Sequence, residues 1–403
     1  MPTSLNLDNV TQALKEHYKP LTVKNMVYKD NPLLALMPKY ERFGGENMPV
    51  PVQYGIANRR SADFATGQGL NTATELARFV LTRVKDYSFA SITGETIKAT
   101  EGAADAFLKY ATLEIDGAIQ SLTRSLAVSM YADGSGQLGT VTVAGTTLTM
   151  QKVDQITNIE VGMELNCAAT ATGAIRAGTT MVVQSVNRDA GSFVVDNAGA
   201  CTTNDFIFQR GDAQNGAGSP KKISGLERWL PSAAPTAGDS FFSQDRSVDA
   251  TRLAGIRFDG SAQPIEEALI SAASRLAREG GSPSHCFMNF ANFSNLEKAL
   301  GSKVVYDKVS SDDADIGFQS LTILGPKGPI QIVADQNCTP DVAYMLQMDT
   351  WTLNSLGDAP HILDLDGNRM LREASADAYE VRVGFYGNIG CTAPGYNARV
   401  KLA

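Results

Sequence analysis

The feature that most constrains this chain is an apolar periodicity that runs from Ala103 to Tyr131. Apolar residues recur there at steps of three and four: Phe107, Leu108, Ala111, Ile115, Ile119, Leu122, Leu126 and Met130. This spacing predicts a single amphipathic helix. With a rise of roughly 1.5 Å per residue, it would span about 43 Å. A helix of that length is typical of a rod that crosses a flat domain.

An extended segment, residues 44–92, precedes the helix. Its first strand pattern contains Pro49 and Pro51, which place that strand at a sheet edge. A polar stretch from Ile56 to Asn71 follows, and a second extended run returns from Phe79 to Ala90. The pattern predicts a long two-stranded arm with a flexible tip. Because an isolated hairpin is marginal in water, its stability must come from packing on partners.

The segment before the arm, residues 1–43, contains little apolar sequence. One short amphipathic helix is predicted at about Asp8 to Tyr18, followed by a run interrupted by Pro20, Pro32 and Pro38. Such a segment cannot form its own core. We expect it to lie against the body of its own subunit or against a neighbour.

Composition changes abruptly between Gln137 and Asn215. These 79 residues contain 12 Thr and only 11 charged residues, with short β-type runs between Gly and Asn turns. This pattern predicts a small all-β barrel or sandwich. Glycine-rich joints, Gly134 to Gly139 and Gly211 to Gly218, bound it on both sides, which is typical of an inserted domain.

The rest of the chain mixes helices and strands. An amphipathic helix is predicted from Pro264 to Glu279, followed by a buried strand at Cys286 to Asn289 and a long strand at Tyr379 to Tyr386. The predicted fold class is therefore α+β.

Charge and cysteine content exclude several classes of protein. Lys and Arg total 35 against 43 Asp and Glu, and the net charge of -8 disfavours a dedicated nucleic-acid binder. No membrane-spanning run or signal peptide is evident, so we expect a cytosolic chain without membrane contact. The cysteines are dispersed and are expected to be reduced, with a disulfide in the Cys167/Cys201 region as the alternative.

The motifs that could support catalysis or ligand binding lack the surrounding structure or residues that those functions require. Gly134 to Gly139 matches a dinucleotide-binding pattern, but it follows a helix and opens a strand, the reverse of what that site needs. Asp364, Asp366 and Asn368 resemble the start of a calcium loop that lacks its later ligands. His17, His285 and His361 lie in separate segments. We predict no catalytic, metal or cofactor-binding residues, no cofactor, and no enzyme activity.

In this order of parts the chain resembles the major capsid protein of tailed bacteriophages. The likeness extends over everything outside the insert. It is carried by Met130 to Gly136, Ile223 to Glu227, the helix through Glu266 to Arg278 with the turn and strand that follow to Asn289, the strand Leu321 to Pro326, and Tyr379 to Tyr386.

The resemblance implies a tailed-phage capsid fold with a long spine helix, an extended two-stranded loop, axial and peripheral domains, and an inserted small all-β domain. The implied division of the chain is an N-terminal arm at 1–43, the extended loop at 44–92, the spine helix of the peripheral domain at 93–136, the inserted domain at 137–215, a mainly axial domain at 216–360, and peripheral strands with the C-terminal segment at 361–403.

Assembly partners and contact sites follow from the same resemblance. The extended loop would lie over a neighbouring subunit, with Arg59, Arg60, Phe64 and Gln68 at its tip as contact residues. The loop near Ser302 to Phe318 would point to the centre of pentamers and hexamers. The carboxylates of that loop would gather around the axis: Asp312, Asp313 and Asp315.

The implied function is a structural subunit that assembles itself as pentamers and hexamers into an icosahedral shell enclosing double-stranded DNA. The other expected partners are a separate scaffolding protein, because no long fused scaffold precedes the loop, a portal, and a cement or decoration protein. Packaged DNA would be contacted weakly and non-specifically. The chain would reside in the virion after assembly in the host cytoplasm.

Three alternatives stay open at this point. An encapsulin-like compartment shell would share the fold and hold a cargo enzyme. A phage tail tube or sheath protein would form tubes instead of closed shells. An enzyme or carbohydrate-binding surface protein could be built around the Thr-rich β module.

Overall fold

A computed structural model describes residues 31–70, 72–95, 110–178, 180–216, 219–300, 321–364, 370–373 and 375–403. Three predictions lie wholly or largely outside these residues. They are the short helix near Asp8 to Tyr18, the calcium-like run after Asp364, and the loop at Ser302 to Phe318 with Asp312, Asp313 and Asp315.

Six α-helices occur in the described part of the chain. They are α1 (Pro32–Leu36), α2 (Phe64–Gly69), α3 (Tyr110–Tyr131), α4 (Leu226–Trp229), α5 (Ile265–Arg278) and α6 (Phe290–Leu300). Helix α3 carries the long apolar periodicity, and it buries Leu122, Leu126 and Met130 in the main core. The predicted helix start at Ala103 lies outside the described residues.

The first of two six-stranded sheets is organised by one long strand. Its strands are β1 (Lys39–Tyr40), β4 (Val84–Thr93), β18 (Trp351–Ser355), β19 (His361–Ile362), β20 (Leu371–Arg372) and β21 (Ala378–Cys391). Strand β21 pairs antiparallel with β4, β18, β19 and β20, and β1 adds in parallel to β18. Helix α3 packs against β4 and β21. This sheet and α3 form one layered unit.

The arm is a separate two-stranded sheet. Strands β2 (Asn47–Gln53) and β3 (Leu76–Thr82) pair antiparallel, from Asn47 opposite Thr82 to Gln53 opposite Leu76. The prediction of one continuous return strand was wrong. The run divides at Arg83, and β4 leaves the arm because β21 offers it ten paired positions, from Val84 opposite Gly387 to Thr93 opposite Ala378.

The second sheet is mixed. In spatial order its strands are β13 (Ile256–Asp259), β22 (Ala398–Lys401), β17 (Val342–Leu346), β14 (His285–Met288), β16 (Gly328–Ala334) and β15 (Leu321–Gly325). The apolar faces of α5 and α6 share a core with it. The two sheets exchange segments across the boundary predicted at residue 360, since β18 precedes it in the first sheet and β22 follows it in the second.

A closed six-stranded barrel lies between α3 and α4 in sequence. Its strands are β5 (Gln137–Ala144), β6 (Thr147–Met150), β7 (Glu164–Ala168), β8 (Met181–Asn187), β9 (Ser192–Val195) and β10 (Phe206–Gln209), closed in the order β10-β5-β6-β9-β8-β7. Val141, Leu148 and Phe193 belong to an apolar core separate from those of both sheets. The remaining two strands, β11 (Ser240–Phe241) and β12 (Gln244–Asp245), form a short hairpin.

Gly225 allows the segment that leads into α4 to touch the last turn of α3. A Cβ atom at this position would lie 2.3 Å from the Met130 carbonyl oxygen and 2.4 Å from that of Ser129. Both neighbours are backbone atoms, which cannot rotate away. The close approach therefore requires a residue without a side chain.

We expect Gly225→Ala to lower the free energy of unfolding by about 3 kcal/mol, because the added methyl overpacks two fixed carbonyls. Gly117→Ala is the matched control, since Gly117 is exposed on helix α3 and a methyl added there would have nothing within 4 Å. Alanine at position 117 should stabilise by up to about 1 kcal/mol through helix propensity. Urea unfolding of the three proteins measures both. Equal midpoints for Gly225→Ala and the parent would contradict the close approach.

Candidate assembly surfaces

The paired strands of the arm are anchored to the body of their own chain. Val50 and Val52 on β2, and Phe79 and Leu81 on β3, are buried in the main core. A Cβ atom on Gly390 of β21 would lie 2.9 Å from Leu81 Cδ1, so this glycine leaves room for the arm. For the paired strands, the partner surface that the isolated hairpin needs is the chain's own body.

A cluster of aromatic rings around Trp229 fixes the base of the arm. The Trp229 ring lies 5.0 Å from that of Phe79, 4.9 Å from that of Phe241 and 6.1 Å from that of Trp351, all edge-on. Its indole Nε1 donates a hydrogen bond to the Ile389 carbonyl at 3.2 Å. The cluster joins β3, the β11–β12 hairpin and the first sheet. It therefore fixes the direction in which the arm extends from the body.

The distal end of the arm is a turn that is closed by hydrogen bonds of polar residues. Helix α2 begins after Asp63, whose carboxylate accepts hydrogen bonds from Thr66 Oγ1 at 2.6 Å and Thr66 N at 2.8 Å. These two bonds lower the pKa of Asp63. Asn58 N donates to Thr72 Oγ1 at 2.9 Å, which closes the two sides of the turn. The tip is thus locally ordered by its own short-range bonds.

All four residues predicted for the tip are solvent-exposed. Arg59 is positioned by a bond from Nε to the Thr72 carbonyl at 3.0 Å. Phe64 is 84% exposed at the start of α2, and Arg60 and Gln68 are also exposed. The structure places them on the one connection between β2 and β3.

Two apolar residues at the arm's distal end were missed by the sequence reasoning. Leu76 belongs to the last strand pair of the arm and is 69% exposed. Ile56 lies three residues beyond that pair and is 77% exposed. The signal was present at Ile56, because a large aliphatic residue in a polar turn contributes nothing to strand alternation. Together with Phe64, they give the tip more exposed apolar surface than a solvated loop needs.

The barrel is connected to the body through a buried ion triad. Lys222 Nζ lies 2.7 Å from Asp86 Oδ2 on β4 and 2.9 Å from Asp212 Oδ2 after the barrel. It also donates to Ser125 Oγ of α3 at 3.0 Å. Burial by itself would lower the pKa of Lys222, but Asp212 and Asp86 outweigh it and the pKa is raised. The triad therefore holds a charged lysine among three segments.

The two segments that connect the barrel to the body lie side by side. Gln214 N donates to the Ser135 carbonyl at 3.1 Å and Lys222 N to the Gly134 carbonyl at 3.3 Å. Farther along, Arg124 of α3 bonds Glu160 of the barrel at 2.7 Å, and Lys152 pairs with Asp341 near β17. The barrel contacts the body chiefly through charged groups.

We expect Lys222→Met to lower the free energy of unfolding by about 3 kcal/mol, because it leaves two half-buried carboxylates without their cation. Lys221→Met is the matched control, since that neighbouring side chain is exposed. The control should stay within about 0.5 kcal/mol of the parent. Thermal unfolding and limited proteolysis at residues 212–222 measure the effect. A Lys222→Met protein as stable as the control would contradict a structural role for the triad.

His285, one of the residues considered for chemistry in the sequence, has a local hydrogen-bond partner. His285 bonds Ser284 Oγ at 2.9 Å and lies beside the buried Cys286 on β14. One group of potential metal ligands does come together within the described part of the chain: Cys167, Cys201 and Asp205 in the barrel.

No described helix is both long and apolar enough to cross a membrane.

Comparison with solved structures identifies the class of fold. The chain matches the structure titled "Cyanophage A-1(L) capsid asymmetric unit" with a TM-score of 0.54 and 12% identity, covering 98% of this chain and 99% of that chain. The structure titled "Mycobacterium phage Adephagia" gives 0.48 and 10% over 100% and 99%. The structure titled "Capsid of native GTA particle computed with C5 symmetry" gives 0.49 and 8% over 96% and 95%. The first of these matches, with its TM-score above 0.5, shows that the chain has a phage capsid-protein fold.

Sequence comparison finds a family that resembles part of the chain. Residues 203–368 match the family model described as SU10 major capsid protein. A search of curated proteins finds no match. The predicted resemblance to phage major capsid proteins is confirmed, as is the α+β class. The chain therefore has the fold of a phage capsid protein, and residues 203–368 are similar to the SU10 major capsid protein family.

Proposed function

We propose that this chain is a major capsid subunit that assembles itself as pentamers and hexamers into an icosahedral shell enclosing double-stranded DNA. The observation that carries the proposal is the arm, whose base is locked into the chain's own core while its tip exposes Phe64, Ile56 and Leu76. An apolar tip held outside the chain's own core is suited to burial on another copy of the chain.

The tip supports a specific contact between subunits. Phe64 supplies apolar area, and Arg59, Arg60 and Gln68 supply hydrogen-bond donors beside it. A contact of this kind is repeated once per subunit around the shell, so assembly energy is spread over many similar interfaces. Arg59 is pre-positioned by the Thr72 carbonyl, which reduces the entropy lost on docking.

The remaining domain assignments belong to the same proposal. Helix α3 and the first sheet would form the peripheral domain, and the second sheet with α5 and α6 would form the axial domain. Asp312, Asp313 and Asp315 lie outside the described residues and stay proposed as the loop around the capsomer axis. The barrel would decorate the shell exterior or stabilise contacts between subunits.

The net charge fits a DNA container. A shell with a charge of -8 per chain does not fix packaged DNA to its wall through counterion release, as a basic lining would. We propose that DNA is contacted weakly and non-specifically. A separate scaffolding protein, a portal and a cement or decoration protein complete the proposed partners, with assembly in the host cytoplasm and residence in the virion.

The test is electron microscopy of the purified protein after size-exclusion chromatography, at a series of protein concentrations. Closed polyhedral shells or discrete pentamers and hexamers support the proposal. Open tubes would indicate a tail tube or sheath protein. Shells that enclose a cargo enzyme instead of DNA when purified from their native source would indicate an encapsulin-like compartment.

We expect Phe64→Ala to reduce the yield of assembled particles at limiting concentration by about tenfold or more, because a buried Phe side chain contributes about 2 kcal/mol. The monomer should remain as stable as the parent, since Phe64 makes no part of the core. Val248→Ala is the matched control, because Val248 is also largely exposed and lies outside both the tip and the barrel. Unchanged particle yield for Phe64→Ala would contradict the tip contact while leaving shell formation itself intact.

A further inference from the structure

Two cysteines of the barrel lie together although 34 positions separate them in sequence. Cys167 is on β7, and Cys201 is in the connection between β9 and β10. Their Sγ atoms and a carboxylate oxygen of Asp205 all lie within 4.8 Å of one another. Both are reduced thiols, and Cys201 is the less deeply buried, at 7% exposure against 0% for Cys167.

The surroundings of Asp205 make this group a poor metal site. Arg176 donates to Asp205 Oδ2 at 2.6 Å and to Oδ1 at 2.8 Å, and Thr202 N donates to Oδ2 at 2.7 Å. Three donors therefore already use the carboxylate, and a guanidinium cation lies where a metal ion would need to bind. The two thiols that remain lie side by side, in reach of each other.

The same arginine lies beside the thiol pair and carries the positive charge that acts on it. A hydrogen bond with the neighbouring Cys167, together with burial, raises the pKa of Cys201, and the Arg176 charge acts against that rise. Arg176 N also donates to the Cys167 carbonyl at 2.9 Å, which keeps the residue beside the pair. The Arg176 charge therefore reduces, without reversing, the cost of forming the thiolate that begins disulfide exchange.

The other cysteines lack this arrangement. Cys338 directs its thiol to the Phe287 and Val342 carbonyls at 3.7 and 3.8 Å, and Cys391 bonds Thr350 Oγ1 at 3.9 Å. Within the described residues, Cys286, Cys338 and Cys391 are not part of any group that could ligate a metal. They serve as internal controls in the same molecule.

We propose that Cys167 and Cys201 are a redox-active pair that closes into a disulfide across the barrel when the protein meets a disulfide oxidant. With oxidised glutathione, the Cys201 thiolate attacks one sulfur and releases one glutathione thiolate. The Cys167 thiolate then attacks the Cys201 sulfur of the mixed disulfide and releases the second. The two thiol protons pass to the two glutathiones, so the protein is oxidised by two electrons and glutathione disulfide is reduced to two thiols.

A disulfide between Cys167 and Cys201 would hold the barrel closed between β7 and the connection into β10. Cys167 pairs with Ile207 across β7 and β10, and Cys201 lies in the connection that leads into β10. A disulfide here ties that connection to β7 and restricts opening of the barrel. For a shell subunit, the change would accompany passage from a reducing cytoplasm to an oxidising exterior. That timing rests on the proposed function, whereas the thiol chemistry does not.

The test is oxidation of the full-length chain with oxidised glutathione, followed by alkylation in denaturant and peptide mass mapping. We expect two of the five thiols to be lost, in a peptide pair that joins Cys167 to Cys201. Barrel peptides should then resist protease longer, and dithiothreitol should restore all five thiols. Cys201→Ser and Cys167→Ser should each abolish the pairing, while Cys286→Ser should not.

Several outcomes would overturn the proposal. They are retention of all five thiols after prolonged oxidation, pairing of other cysteines, or a glutathione adduct that stays on Cys201 without resolution. Stoichiometric zinc in the purified protein that shields both thiols from alkylation would also overturn it, since the pair would then be a ligand set. Circular dichroism of each serine variant shows that loss of pairing is not loss of fold. Electron microscopy separately reports shell formation, so failure of the two proposals can be distinguished.

Discussion

The rest of the structure depends on the C-terminal part of strand β21, where a buried asparagine connects three segments. Asn388 donates from Nδ2 to the Thr82 carbonyl of β3 at 2.9 Å, and its Oδ1 accepts from Ser224 N at 3.1 Å. It is almost fully buried, so each of these bonds replaces one that water would have made. The amide therefore fixes the end of the arm and the chain that returns from the barrel to the same strand.

Glycines of β21 supply the space around that amide. Gly387 approaches the Asn354 carbonyl, and Gly390 leaves room for Leu81 of the arm. Further along the strand, the Ile389 carbonyl accepts from Trp229 at the centre of the aromatic cluster. Bonds and space along one strand thus fix where the arm leaves the body. The direction of the arm is a property of the core and not of the arm's own two strands.

The sequence allowed local features to be predicted better than long-range pairing. The alternation at Val50 and Val52 is a local property, and both residues are buried as that pattern requires. The division of the return strand at Arg83 depends instead on β21, almost 300 residues later, whose ten paired positions draw β4 out of the arm. Likewise, nothing near Ala398 indicates that β22 lies between β13 and β17 of the second sheet. Such pairings are decided by the whole fold.

The candidate surfaces show the same difference between local features, which could be predicted, and long-range contacts, which could not. Phe64 and its neighbours were predicted because the tip is a local turn between two strand patterns. Lys222 was not, since nothing in sequence distinguishes it from Lys221 beside it, and only the fold brings Asp86 and Asp212 to one of the two. The Cys167 and Cys201 region was recognised as a region only. Their proximity follows from closure of the barrel, which brings the connection into β10 next to β7.

Different interactions hold the arm and the barrel to the body of the chain. The arm base, α3 and the first sheet share one apolar core, whereas the barrel has its own core and contacts the body through ion pairs and hydrogen bonds. An apolar core must be repacked when a part is changed, because its side chains interdigitate. Charged contacts depend on a few groups at defined positions and tolerate change around them. A barrel joined in this way can vary without disturbing the core that directs the arm, so the surface presented by the barrel and the contact made by the tip are physically separable.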